Sequence, residues 1–255
     1  MKIGAQLFTI HDYAKDLDGF AESLKKVADI GYSSVQVSGT CAYEPEWLKE
    51  QLDKNGLTCD LTHTPFDRMV EMPETVVAEH KIFNCKYIGV GSMPRIFENP
   101  GDKSVWEDFS KKAVKVGEGF KKNGAYLMYH NHDREFFSYD GERCIDYLAR
   151  EIAPDLMGFT LDTHWVKAGG YDPVETLKAL KGRLPCVHFK DLTHVDGERR
   201  FAPIGAGELD FDAIIKTCED LNVEFAFVEQ DNCYGEDPFK CLKQSYDYLK
   251  SRGLK

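Results

Sequence analysis

The sequence predicts an α/β fold, a (β/α)8 TIM barrel that occupies the chain as one domain, residues 1–255. Three observations predict it. Short β-branched runs alternate eight times with longer stretches of helical period, and strands separated by helices pair in parallel. The runs YIGV, LMYH and FAFV are apolar on both faces, as expected of strands between outer helices and an inner core. A length of 255 residues is typical of a single barrel of this type.

Each predicted strand is followed by a predicted helix. The strands are KIGAQLF (2–8), SVQVSG (34–39), TCDLTHTP (58–65), YIGVGS (87–92), AYLMYHN (125–131), LMGFTLDT (156–163), CVHFKDL (186–192) and FAFVEQD (225–231). In the first helix, Phe20, Leu24, Val27 and Ile30 recur at helical spacing, and Gly31 ends the helix. An open doubly wound sheet is the alternative, but no GxGxxG motif follows the first strand.

Two Asp-Pro pairs and one long loop complete this prediction. Asp172-Pro173 and Asp237-Pro238 are typical helix starts, with Asp as the N-cap and Pro in the first turn. The loop after the seventh strand (193–210) is polar and Gly-rich. Loops in this position build the active sites of such barrels, so we expect it to lie over the barrel mouth.

Composition excludes several function classes. The net charge of -11 argues against nucleic acid as a partner, because that affinity depends on Lys and Arg neutralising phosphates. No apolar run approaches the roughly 20 residues of a membrane span, and the N-terminus lacks the features of a signal peptide. The eight cysteines are irregularly spaced without a CxxC pair. They therefore indicate reduced thiols and a cytoplasmic protein.

Four candidate metal ligands lie where predicted strands end: Glu135, Asp162, His188 and Glu229. A buried strand that presents a carboxylate or imidazole at its C-terminal tip is the arrangement of a barrel-mouth active site. Three carboxylates and one histidine form a hard, oxygen-rich shell. Such a shell favours Mn²⁺, Mg²⁺, Co²⁺ or Fe²⁺ over a thiolate-bound zinc.

Further candidates lie beside these four residues. His130 and His132 are two positions apart and therefore share one face of the fifth strand. Trp165, next to His164, is a candidate apolar wall for the C–H face of a sugar ring. The remaining candidates are His63, at the tip of the third strand, and Lys190, which follows His188.

The segments YHNHDREF, LDTHWVKAGGYDP, CVHFKD, GAGELDF and VEQD resemble the sugar phosphate isomerase/epimerase family of the xylose isomerase-like TIM barrels. The resemblance covers essentially the whole chain and implies a divalent metal held by Glu, Asp, His and Glu. Asp162, His188 and Glu229 match this pattern. Where many relatives have the first Glu, this chain has His130, so Glu135 is the substitute ligand and His130 the competing assignment.

The resemblance implies an isomerase or epimerase that acts on a small ketose, keto-sugar or inosose through an enolate. The expected ion is Mn²⁺, with Mg²⁺, Co²⁺, Fe²⁺ or Zn²⁺ as alternatives. Glu135 and Glu229 are the expected bases, and His132 and Lys190 the expected hydrogen-bond donors.

His63, His130, His164 and Trp165 are the expected substrate contacts. A dehydratase or lyase for an inosose or a 3-keto-glycoside fits the same residues, and a non-catalytic sugar-binding barrel with a degenerate metal site is a third interpretation. Barrels of this kind often pair, so the resemblance admits a homodimer.

Overall fold

A closed barrel of eight parallel strands forms the centre of the protein; the computed structural model describes residues 1–254. This confirms the predicted fold class. The barrel strands are β1 (Lys2–Gln6), β2 (Ser34–Val37), β3 (Thr58–His63), β4 (Tyr87–Val90), β5 (Tyr126–His130), β8 (Met157–Asp162), β9 (Cys186–Phe189) and β12 (Phe225–Val228). They are neighbours in chain order, and β12 closes the barrel against β1.

Within the described residues, ten α-helices accompany the strands. They are α1 (Leu17–Ile30), α2 (Pro45–Asn55), α3 (Phe66–Glu71), α4 (Pro73–Ile82), α5 (Lys103–Lys122), α6 (Cys144–Glu151), α7 (Thr163–Ala168), α8 (Pro173–Ala179), α9 (Phe211–Asp220) and α10 (Pro238–Ser251). Both predicted Asp-Pro starts are confirmed, because Asp172 caps α8 and Asp237 caps α10. Among residues 1–254, no helix combines the length and apolar character that a membrane span needs.

Two short hairpins interrupt the strand–helix alternation. They are β6 (Ser138–Tyr139) with β7 (Glu142–Arg143), and β10 (Asp191–Val195) with β11 (Glu198–Ala202). The second lies in the segment that the sequence treated as a loop. Its turn residues, Asp196 and Gly197, both have positive φ, as a two-residue hairpin turn requires. The Asp-Gly dipeptide is the sequence signal for this hairpin.

The barrel interior explains why particular side chains reach the mouth. Leu61, Tyr87, Met128, Cys186 and Phe227 pack together as a buried apolar cluster. Side chains two positions apart on a strand point to the same face. The residues two positions after four of these members are polar and lie at the C-terminal ends of their strands: His63, His130, His188 and Glu229. The alternation that fills the core therefore also directs these groups into the mouth.

A buried arginine stabilises the N-terminal end of the barrel, opposite the mouth. Arg183 is 8% exposed and donates to the carbonyl oxygens of Ala149, Ile152 and Met157. The first two carbonyls belong to the end of α6 and the residue that follows it, where helical carbonyls lack intrahelical partners. This one guanidinium therefore connects α6 to the start of β8.

We expect Arg183→Met to lower the free energy of unfolding by about 3 kcal/mol, because it leaves buried carbonyls without donors while keeping the apolar stem. Chemical denaturation measures the change. The matched control is Arg252→Met, because Arg252 is exposed and pairs with Asp212 at the surface. This substitution is expected to change stability by less than about 0.5 kcal/mol. Equal effects of the two substitutions would contradict the assigned role.

Candidate metal centre and active site

Four buried side chains from four neighbouring barrel strands meet at the C-terminal end of the barrel. His130, Asp162, His188 and Glu229 each offer one ligand atom, and these atoms all lie within 4.8 Å of one another. Their exposures are between 0% and 4%. Histidines and carboxylates gathered at one buried point are the side chains that hold a divalent ion.

His130 has one ring nitrogen fixed and the other directed at a carboxylate. Its Nδ1 donates to the carbonyl oxygen of Gly91 at 3.0 Å. That bond leaves Nε2 as the nitrogen that faces Asp162 Oδ2, at 3.4 Å. Metal-binding histidines are commonly held in this way, because the outer hydrogen bond sets the tautomer and the ring orientation.

His188 is held from across the barrel, where its Nε2 donates to Gln36 Oε1 on β2 at 2.6 Å. Its Nδ1 lies 2.9 Å from Glu229 Oε2 and 3.7 Å from Asp162 Oδ2, but forms no hydrogen bond with suitable geometry. Burial alone would lower the pKa of His188, but the two carboxylates outweigh it and raise that pKa to about 9. A buried nitrogen without a partner thus faces two negative oxygens.

Asp162 connects the centre to a helix. Its Oδ1 accepts from the backbone N–H of Trp165 at 2.9 Å and so caps α7, while Oδ2 faces His130 and His188. Its own backbone N–H donates to Asn131 Oδ1 at 3.0 Å, which joins β8 to the end of β5. One oxygen therefore fixes the side chain and the other remains available to the centre.

The two carboxylate oxygens of Glu229 also make different contacts. Oε1 accepts from Gln6 Nε2 at 2.7 Å, and Oε2 faces His188 Nδ1 and Lys190 Nζ, at 2.9 and 3.2 Å. The Gln6 side chain is itself held, because its Oε1 accepts from the backbone N–H of Phe8. The orientation of Glu229 is thus set by the chain segment that follows β1.

Lys190 lies among three carboxylates. Its Nζ is 2.6 Å from Asp231 Oδ1, 3.2 Å from Glu229 Oε2 and 3.6 Å from Asp162 Oδ2. Burial opposes its charge, but these carboxylates raise the pKa of Lys190 above its ordinary value, so the amine remains protonated. Three carboxylates, the Lys190 ammonium and the His188 imidazolium leave one net negative charge. A divalent cation that displaced the His188 proton would bring the total to zero.

The donor set fits a divalent ion. Two imidazole nitrogens and two carboxylate oxygens converge, and these are ligand atoms that bind divalent ions in proteins. Imidazole and carboxylate together suit first-row divalent metals. The four converging groups are two histidines and two carboxylates, whereas the expected shell has three carboxylates and one histidine.

Glu135, the expected fourth ligand, lies outside this group. Its Oε1 accepts from Tyr129 Oη at 2.5 Å and its Oε2 from the His132 backbone N–H at 2.8 Å. Tyr129 precedes His130 on β5, so its side chain points to the helix layer and not into the barrel. It packs against Phe109 of α5. We therefore replace Glu135 by His130 in the proposed ligand set.

The other predicted residues surround the centre. The ring centroids of His63 and His132 lie 5.2 and 4.7 Å from that of His130. Burial is the main cause that lowers the pKa of His63 well below its ordinary value and that of His132 to about 2, so both rings are neutral. His164 and Trp165 follow Asp162 in α7, and Lys190 Nζ lies 5.1 Å above the indole ring.

Sequence reasoning missed Gln36 and Phe201. Gln36 is a polar interior side chain of β2 that orients His188, and its position in the alternation of β2 was the available signal. Phe201 stacks on His164 with ring centroids 4.5 Å apart, which brings hairpin β10–β11 to the barrel mouth. The expectation that segment 193–210 lies over the mouth holds for this part of it.

Asp191 anchors the segment that follows that hairpin. Its carboxylate is fully buried and accepts four backbone N–H groups, from Leu192, Gly205, Gly207 and Leu209. A Cβ at Gly207 would collide with the carboxylate, so only glycine permits this approach. The carboxylate thereby ties residues 205–209, which follow the hairpin, to the start of β10.

Comparison with known proteins agrees with this architecture. The family model described as xylose isomerase-like TIM barrel matches residues 24–252. The chain belongs to the xylose isomerase-like TIM barrel family. Among solved structures, a sugar phosphate isomerase/epimerase from Parabacteroides distasonis has a TM-score of 0.84 at 22% identity, covering 98% of this chain and 93% of that one. At this identity the likeness concerns the fold.

Two curated proteins that the chain resembles in sequence are inosose dehydratases. The protein from Clostridium perfringens (strain ATCC 13124) is 27% identical over 273 aligned positions, which cover 91% of this chain and 90% of that protein. The protein from Geobacillus kaustophilus is 26% identical over 67% of this chain. In that second alignment the chain covers 61% of the relative, less than two thirds of its length.

Glu135 is buried and accepts two hydrogen bonds, so the stability of the protein should depend on the protonation of this residue. Burial is the main cause that raises its pKa from the ordinary 4.5 to about 7. The folded state therefore retains the proton between these values, and this contribution to stability is lost as the pH rises through 7. We expect Glu135→Gln to gain stability relative to the wild type by about 3 kcal/mol between pH 4.5 and pH 8.

Denaturation midpoints of both proteins across this pH range measure the difference. Glu118→Gln, an exposed glutamate on α5, is the matched control. A stability difference between Glu135→Gln and wild type that stays constant with pH would contradict the buried neutral carboxyl.

Asp191→Asn should loosen the segment that the carboxylate holds. An amide offers one acceptor and turns an N–H donor toward backbone N–H groups, so we expect amides of residues 203–209 to exchange with D₂O at least tenfold faster. Hydrogen exchange followed by mass spectrometry measures this. Asp196→Asn, at the exposed hairpin turn, is the control and should leave exchange unchanged. Unaltered exchange in Asp191→Asn would remove the anchoring role.

Proposed function

We propose that the protein is a divalent-metal-dependent enzyme that removes the proton next to the carbonyl of a small keto-sugar or cyclitol. The supporting observation is the buried group of His130, Asp162, His188 and Glu229, whose free oxygens and nitrogens converge. These four residues would hold the ion. When bound, a divalent ion supplies Lewis acidity that polarises a substrate carbonyl.

Glu229 is the proposed base. Burial opposes its ionisation, but Lys190 and His188 hold the pKa of Glu229 well below its ordinary range, so the group is an unprotonated carboxylate. Its Oε1 is held by Gln6, which fixes the direction of approach. A positioned base of this kind contributes about 10²–10⁴-fold to the rate.

Lys190 and His132 are the proposed hydrogen-bond donors. Lys190 keeps its proton among three carboxylates and can donate to an oxygen that develops negative charge. His132 lies beside His130, and its buried Nδ1 has no hydrogen-bond partner among residues 1–254. Both groups therefore offer polar contacts to substrate hydroxyls.

One base beside a proton donor suits the loss of a β-hydroxyl as water. Glu229 takes the α-proton, the electron pair forms the carbon–carbon double bond, and Lys190 donates a proton to the departing hydroxyl. Two curated relatives are inosose dehydratases, which is consistent with this outcome. We therefore propose dehydration as the first candidate reaction.

Epimerisation or isomerisation is the second candidate. It was the first expectation from the sequence, with Glu135 and Glu229 as bases on opposite faces of the substrate. The isomerase/epimerase among the structural relatives favours it. Glu135 is hydrogen-bonded to Tyr129 on the helix side of the barrel wall. In an epimerisation or isomerisation, Lys190 or His132 would therefore have to return the proton to the substrate carbon.

The deciding experiment incubates Mn²⁺-loaded protein with scyllo-inosose in D₂O. We expect mass spectrometry to show a product that has one water less than the substrate. EDTA should abolish turnover. Glu229→Gln should lower the rate at least 10³-fold, because it removes both the base and a ligand. Glu236→Gln, an exposed glutamate eight residues after β12, is the matched control and should retain full activity.

Two other results discriminate the alternatives. Deuterium at the carbon next to the carbonyl without loss of water supports epimerisation. Neither exchange nor elimination with any keto-sugar or inosose, in protein that binds Mn²⁺ in stoichiometric amount, contradicts the enzymatic proposal and favours a sugar-binding barrel.

A further inference from the structure

Two buried glutamines on neighbouring strands lie against the candidate metal centre. Gln6 ends β1 and Gln36 lies in β2, and the two residues are partners in the register of these strands. Their exposures are 1% and 0%. A primary amide carries a carbonyl acceptor at one end and an N–H₂ donor at the other, and buried polar atoms normally find matching partners. The direction in which each amide points therefore determines which group it can hold.

The contacts of Gln6 leave one orientation for its amide. The backbone N–H of Phe8 can only donate, so the atom that it contacts at 2.7 Å is the carbonyl oxygen Oε1. The other end is therefore Nε2, which donates to Glu229 Oε1 at 2.7 Å. An oxygen in place of this nitrogen would face a carboxylate oxygen at that distance. Glu229 thus requires a donor at residue 6.

The amide of Gln36 turns its opposite end to the centre. Its Oε1 lies 2.6 Å from His188 Nε2, and its own Nε2 has no hydrogen-bond partner among residues 1–254. A histidine binds a metal ion through a ring nitrogen without a proton, while the other nitrogen donates its proton to an outer acceptor. His188 Nδ1 is the nitrogen that faces Asp162 and Glu229. In a metal-bound centre the proton therefore belongs on Nε2, and residue 36 must supply the acceptor.

We propose that Gln36 and Gln6 are positioning residues of opposite hydrogen-bond polarity for the metal centre. The Gln36 carbonyl holds the proton of His188 on Nε2 and leaves Nδ1 as the ligand atom. The Gln6 N–H₂ group holds Oε1 of Glu229 and leaves Oε2 for the ion. The inference rests on the proposed function, because the divalent ion that these residues serve belongs to that proposal.

The opposite polarity of the two amides distinguishes this role from simple packing. If both glutamines only filled the barrel interior, side chains of similar size would serve equally well at either position. Glutamate keeps an acceptor at residue 36 but removes the donor at residue 6, whereas methionine removes the strong hydrogen-bonding group at both. The same substitution to glutamate should therefore have opposite effects at the two positions.

The test measures Mn²⁺ affinity by calorimetry at neutral pH. Gln36→Glu should bind Mn²⁺ at least as tightly as the wild type, because a carboxylate accepts the Nε2 proton more strongly than an amide does. Gln36→Met should bind about 10- to 100-fold more weakly. Gln6→Met and Gln6→Glu should each lose about tenfold, and in Gln6→Glu the new carboxylate repels Glu229. An added charge alone would tighten binding in both glutamate variants, so their difference reports the hydrogen bond.

The visible spectrum of bound Co²⁺ provides a second readout, because its bands depend on the identity and geometry of the ligands. Gln36→Glu should keep the wild-type bands, and Gln36→Met should shift them. Gln51→Met, at a buried glutamine on the outer helix α2, is the matched control and should bind both ions as the wild type does. Circular dichroism checks that each variant is folded. The comparison of the two glutamate variants keeps the test decisive if a methionine variant does not fold.

The outcomes separate this inference from the proposed function. Equal Mn²⁺ affinities of Gln36→Glu and Gln36→Met, or equal changes in the two glutamate variants, overturn the inference while leaving the proposed enzyme intact. A wild type that binds Mn²⁺ without any turnover contradicts the enzyme, while opposite effects of the glutamate variants still support the positioning roles. A wild type that binds no Mn²⁺ overturns both.

Discussion

The compensation of buried negative charge is the interaction on which the rest of the active end depends. Asp162 and Glu229 lose nearly all contact with water, and isolated carboxylates in that environment would be too costly to keep ionised. Lys190 and the two histidines make them tolerable, and the surrounding amides fix where each oxygen points. A buried ion pair of this kind seldom adds much stability, so its arrangement is better understood as preparation for a ligand.

The barrel and most of this centre could be predicted from the sequence, for one physical reason. Strand alternation is strict, so an apolar interior residue predicts the direction of the side chain two positions later. Met128, Cys186 and Phe227 thereby indicate His130, His188 and Glu229. The family resemblance then assigned a metal to residues that the pattern had already brought to one rim.

The parts that could not be predicted lie where alternation stops. Glu135 follows β5 in a short 3₁₀ helix, Arg134–Phe136, and the turn of that helix carries its side chain to Tyr129 on the outer face. No residue count along an extended strand gives that direction. Hairpin β10–β11 had a usable signal in Asp196-Gly197, but its docking by the Asp191 carboxylate depends on contacts up to 18 residues away.

The two oxygens of Asp162 have a mechanical consequence. One faces the candidate cation site and the other accepts the backbone N–H of Trp165 in the first turn of α7, so this aspartate connects the two. A change in the direction of this carboxylate would therefore alter the candidate cation site and the backbone position of Trp165 together. A single side chain couples the two, because each depends on one of its oxygens.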